Sequence, residues 1–149
     1  MEDVKRILLA LESTEHSRKA INYGLSLCRS WNAELFVLSF VHNPLGLAGW
    51  NLPIPSLEAI EEEHERIRVR TKAEVDRLLA SEGARGLPIT ELVGEGDPVK
   101  EILRIIKEYN IDIVIMAALG RRHIWDYVLR HTREEIVRKM PCSVFIVKG

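Results

Sequence analysis

The chain of 149 residues predicts a doubly wound, five-stranded parallel α/β sheet, and three observations carry that prediction. Short runs of branched apolar residues recur at 4–11, 33–41, 89–93, 111–120 and 143–147, and segments of helical periodicity separate most of them. Each connection is long enough for a right-handed crossover between parallel strands. The run from Ile111 through Val114, Ile115 and Met116 to Gly120 is continuously apolar except for Asp112, as a strand buried on both faces should be. Open α/β sheets bind ligands just beyond the carboxyl end of such a strand.

In chain order, the first element is Ile7-Leu-Leu-Ala-Leu11, a buried strand cut off by Glu12-Ser-Thr-Glu-His-Ser17, in which Ser13 or Thr14 is placed to cap the next helix. Ala20, Ile21, Gly24, Leu25, Cys28 and Trp31 then recur at helical spacing and predict one buried face. A second strand, rich in branched and aromatic residues, spans 33–41. The stretch 43–55 is a loop, because two glycines and three prolines forbid regular structure, and Trp50 gives it something to bury. Ser56 caps a long helix whose inner stripe is Ile60, His64, Ile67, Thr71, Val75 and Leu78, and whose charge run is the wet face. Ile89 to Val93 forms the third strand, and Asp97 with Pro98 opens a third helix that Asn110 closes. A final helix at 132–139, with Thr132 and Glu135 at capping-box spacing, leads through Pro141 to the last strand.

Composition excludes several classes. The length suits a single domain over 1–149, the formal net charge is −1, and charges of both signs are interspersed, so nothing predicts a nucleic-acid or membrane partner. No run approaches a transmembrane span. Two cysteines, Cys28 and Cys142, without ligand spacing and without a secretory leader, predict reduced, partly buried thiols and a cytoplasmic protein. No cluster predicts a metal site, and His64 reads as a packing histidine.

Ile7 to Ser17, Gly94-Glu-Gly-Asp-Pro98, Asp112-Ile-Val-Ile-Met116 and Met140-Pro-Cys-Ser-Val144 occur in the order and spacing of the universal stress protein family, which the chain resembles over nearly its whole length. The resemblance implies the strand order 3-2-1-4-5, a cytoplasmic homodimer built on the last strand (Ser143, Val144, Phe145, Ile146 and Val147), and either ATP binding or its absence, since the family contains both kinds. It also implies which residues line a retained nucleotide site: Ala10, Leu11, Glu12, Val41, Met116, Ala117, Gly120, Arg121, Arg130, His131 and Thr132. The ligand is then ATP, with magnesium, or AMP.

The family's phosphate motif is two glycines two residues apart, then nine residues, then glycine and a serine or threonine. Those four positions hold Ala117, Gly120, Arg130 and His131 here, so one glycine is kept. Glycines there let backbone N–H groups approach a phosphate, and Arg130 instead brings a long side chain. Glu12 likewise stands where the family usually has aspartate. Arg121, Arg122, His123, Arg130, His131 and Arg133 nonetheless concentrate cationic groups beside a helix start. Two readings stay open: a module that has lost ordinary ATP binding, and a nucleotide or small-anion binder in which arginine forks replace the amide cradle. Asp126, Glu134 and Glu135 are near enough in sequence to neutralise the arginines. Ser13, Thr14 and His16 at the first strand's end leave weak phosphohydrolysis as a third reading, below a non-catalytic role.

Overall fold

The computed structural model describes residues 3–11, 17–40, 56–118 and 138–148. The elements run β1 (Arg6–Leu11), α1 (Arg18–Trp31), β2 (Glu34–Phe40), α2 (Leu57–Ser81), β3 (Ile89–Gly94), α3 (Pro98–Tyr109), β4 (Ile113–Ala118) and β5 (Ser143–Lys148). All five strands are parallel, in the order β3-β2-β1-β4-β5.

The apolar runs are explained by burial on two sides. Along β1, Ile7, Leu9 and Leu11 join Ile21 and Leu25 of α1 and Val75 and Leu79 of α2 in one core. Leu8 and Ala10 point the other way and join Ile102, Ile105 and Ile106 of α3. None of the five residues from Ile7 to Leu11 is more than 1% exposed. Each large one contributes roughly 1.5–3 kcal/mol by leaving water.

Helix ends obey local chemistry where a side chain can supply it. The Asp97 carboxylate accepts the N–H groups of Val99 at 2.9 Å and Lys100 at 3.3 Å, and Pro98 occupies the first turn. Asn110 closes α3 with φ of 51°. The Ser56 hydroxyl accepts the Ala59 N–H at 3.2 Å, as expected for a cap.

Helix α1 departs from expectation at both ends. It starts at Arg18, so the cap position falls on Ser17 rather than on Ser13 or Thr14, and the Ser17 carbonyl accepts the Ile21 N–H at 2.9 Å. Ala20 is the first residue of this helix in the core, and a turn begun earlier would have no apolar side chain to bury. Trp31, expected on the buried face, is 43% exposed. The chain leaves the helix at Asn32, with φ of 51°, and the core continues through Cys28 and Ala33 instead.

At the amino ends of the strands, Asp112 ties β4 to β1. Its carboxylate accepts the N–H groups of Lys5 at 2.8 Å and Arg6 at 2.9 Å. Both thiols are free, with Cys28 buried and Cys142 partly buried, as expected. The expected loop at 43–55 and most of the helix at 132–139 lie outside the described residues; Arg138 and Lys139 are helical.

Candidate ligand site at the carboxyl edge of the sheet

Helices α1 and α2 cover one face of the sheet and α3 the other, so the winding reverses between β1 and β4. The crevice beyond the carboxyl ends of those two strands is where such a sheet takes a ligand. Register brings the expected residues of that crevice together: Ala10 pairs with Met116 across β1 and β4, and Leu11 pairs with Ser39 across β1 and β2. Ala10 is fully buried, Leu11 is 1% exposed and Met116 is 3% exposed. Leu11 belongs to the core under α1 and α2, and Ala10 and Met116 to the core under α3, so the described strand ends beneath the crevice are apolar on both sides of the sheet. The backbone of Ala117 pairs with Val147 of β5. Glu12, Val41, Gly120, Arg121, Arg130, His131 and Thr132 lie outside the described residues.

Among the described residues at this edge, charged groups cluster at the turn after β3. Gly94 is closely held, since a Cβ there would sit 2.9 Å from the Phe40 ring and 3.2 Å from Leu38. The next residue, Glu95, accepts a hydrogen bond from the Arg68 guanidinium at 3.0 Å, and His64 Nδ1 lies 3.8 Å away. His64 is thus partly buried beside a carboxylate. No group of three potential ligands could hold a metal among the described residues. Asp97 already occupies two of the free amides at the start of α3, so that helix is poorly placed to receive an anion.

The ties between α2 and β3 were not foreseen from the sequence. Lys72 reaches Glu91 at 3.1 Å and Asp76 at 3.0 Å. Burial, and then the neighbouring Asp76, push the Glu91 carboxyl up, whereas hydrogen bonds from Glu91 and Lys72 hold Asp76 down. Reading 61–72 only as a wet face misses this, although an acid inside the short apolar strand 89–93 is a visible signal.

The family model for the universal stress protein family matches residues 3–148. Over 104 residues the chain is 24% identical to a universal stress protein of Methanocaldococcus jannaschii, a match that spans 70% of this chain and 63% of that protein. Among solved structures, the universal stress protein UspA from Lactobacillus plantarum superposes with a TM-score of 0.73 at 17% identity, covering 99% of each chain. A universal stress protein from Archaeoglobus fulgidus, solved in complex with dAMP, gives a TM-score of 0.64 at 12% identity, covering 99% of this chain and 100% of that one. No described helix is long and apolar enough to cross a membrane.

Proposed function

Because the chain belongs to the universal stress protein family, we propose that it is a non-catalytic, dimeric stress-response module whose nucleotide site is rewritten at the phosphate end. The observation that carries this reading is the substitution of the phosphate loop. Ala117, Arg130 and His131 stand where the family's ATP-binding motif has two glycines and a hydroxyl residue. Each lost glycine removes a place where backbone N–H groups can close on a phosphate. In this reading the adenosine half of the crevice is kept, supported by the apolar strand ends at Ala10, Leu11 and Met116. Glu12 and Val41 complete that half of the site in this reading. Residues that fit a base and misfit a triphosphate define a module that does not take ATP in the usual way.

The test is calorimetric titration with ATP, ADP and AMP, each with and without magnesium. We expect no micromolar ATP affinity in the wild-type protein and a gain of affinity for Arg130→Gly, in which the obstructing side chain is gone. Micromolar ATP binding by the wild type overturns the reading.

The excess of cationic residues in the loop favours a second reading, in which Arg121 and Arg130 hold the phosphate of AMP, ATP or another phosphorylated small molecule. Arg130→Ala then weakens binding by about 1.5 kcal/mol or more, and an unchanged affinity removes Arg130 from the site.

Dimerisation through β5 is supported by its exposure. Phe145 is 40% and Ile146 43% exposed on an edge strand, an arrangement that native sheets cover. Ser143, Val144, Phe145, Ile146 and Val147 form the proposed contact. Light scattering should report twice the chain mass, and Ile146→Lys should return a monomer.

A further inference from the structure

The contact between α2 and the edge strand β3 holds a carboxyl pair that the proposed nucleotide site does not use. His64, Arg68, Lys72 and Asp76 stand four residues apart on α2 and form one charged stripe. The stripe meets Glu91 within β3 and Glu95 in the turn after it. Its two ends differ. At one, Glu95 has the Arg68 guanidinium at 3.0 Å and His64 Nδ1 at 3.8 Å. At the other, Lys72 Nζ serves two carboxylates, Asp76 at 3.0 Å and Glu91 at 3.1 Å.

Two acids on one ammonium resist ionising together, and the surroundings decide which gives way. The Glu91 side chain is 18% exposed, against 49% for Asp76, so Glu91 has less water to hold its charge. Leu79, Leu87 and Ile89 line the same groove and belong to, or pack against, the core under α2. This groove, of about 560 Å³, admits water to the pair. Among the described residues, the charged groups that share it with Glu91 are Lys72 and Asp76 of α2 and Arg85 of the turn before β3. Val37, the neighbour of Glu91 on β2, brings no charge.

We propose that Glu91 and Asp76 share one proton when the solution turns acidic, and that this proton fastens α2 to β3. The proton passes from water to a Glu91 carboxylate oxygen. The O–H so formed donates to the Asp76 carboxylate, which stays ionised and keeps Lys72. At higher pH both acids are charged, and their repulsion across the contact opposes the pull of the lysine. Burial first, and then Asp76, raise the Glu91 carboxyl above its ordinary value of 4.5, and hydrogen bonds from Glu91 and Lys72 lower Asp76, which matches the roles of donor and acceptor. A carboxyl raised on folding contributes its stability below the unfolded value and loses it as pH rises through the folded one. The fastening is therefore complete in acid and released towards neutrality. Glu95, at the far end of the stripe, carries the same contact to the side of the sheet where the candidate crevice opens.

Two measurements test the proposal. In a carbon-13 titration of the wild-type side chains, the Glu91 midpoint should lie above 4.5. Asp76→Asn should move it down by about 0.5 or more, because the neighbouring charge is gone while the burial remains. Glu91→Gln keeps a neutral donor at that position and has no proton to gain. Relative to that variant, wild-type stability in urea should fall between 4.5 and about pH 8, the ratio of the two unfolding constants changing about threefold or more. His64→Gln, which removes the titratable side chain at the other end of the stripe, should leave both results in place. A Glu91 midpoint at or below 4.5, a midpoint unmoved in Asp76→Asn, a constant ratio of unfolding constants, or loss of the response in His64→Gln overturns the proposal.

Discussion

Replacing Asp112 tests how the first strand is tied to the fourth. The carboxylate accepts the Lys5 and Arg6 N–H groups at 2.8 and 2.9 Å, and the Asp112 N–H donates to the Arg6 carbonyl at 2.9 Å. The third bond belongs to the backbone and survives mutation. A hydrogen bond to a charged acceptor contributes about 1.5–3 kcal/mol. Both of these are exposed and share one oxygen. Water replaces much of what is lost, so Asp112→Ala should cost about 2 kcal/mol in all. For a domain of this size that lowers the melting temperature by roughly 4–8 °C. Asp112→Asn keeps an acceptor and loses the charge, and about half that cost is expected. Urea unfolding with an unchanged denaturant slope is the assay. Cys142 supplies a second readout, since burial and then the charge of Asp112 push its thiol up to about 11. In Asp112→Asn the thiol should alkylate faster at pH 9, with its midpoint moved down. An alanine variant within about 0.5 kcal/mol of wild type, or unchanged alkylation in the asparagine variant, refutes the reasoning.

Gly94→Ala drives a Cβ to 2.9 Å from the Phe40 ring and should destabilise by about 1–3 kcal/mol. Phe40→Leu in that background should recover part of the loss in thermal unfolding if the ring is the obstacle. The raised Cys142 thiol has a pH signature of its own. Between its ordinary value of 9.0 and about 11, the unfolded chain has released the proton and the folded one still holds it. Stability should therefore be complete below pH 9 and decline as pH rises to 11, by roughly 1 kcal/mol, since water around the half-exposed thiol screens the effect. Cys142→Ala should flatten that part of the curve measured by chemical denaturation.

How much the sequence disclosed depended on how local the determining interaction is. Helix α3 was legible because its cap, its proline and its left-handed asparagine act within a few residues of the helix they bound. The start of α1 was not, since Glu12 to Ser17 offers several capping side chains and the distant sheet decides which turn has something to bury. Trp31 fits the helical period, yet only the direction in which the chain leaves at Asn32 decides that it faces water. Arg68 with Glu95, and Lys72 with Glu91, join a helix to the edge of a strand, and periodicity within one element does not reveal such pairs. For the candidate site, register brings Ala10 and Met116 side by side. The loop substitutions at Arg130 and His131 are legible only as letters, because they lie outside the described residues.

The pairing of β1 with β4 also bears on how the chain is made. Strands β1, β2 and β3 are successive in sequence and adjacent in the sheet, whereas Ile7 waits for Ile113. A ribosome adding roughly 5–20 residues per second delivers the first half of the sheet seconds before β4 emerges. Throughout that interval β1 keeps one edge unmatched along a run of apolar residues, the kind of edge on which nascent chains associate wrongly. The strand that ends at the centre of the finished protein thus begins as its most vulnerable margin, and the arrival of Asp112 with β4 closes it.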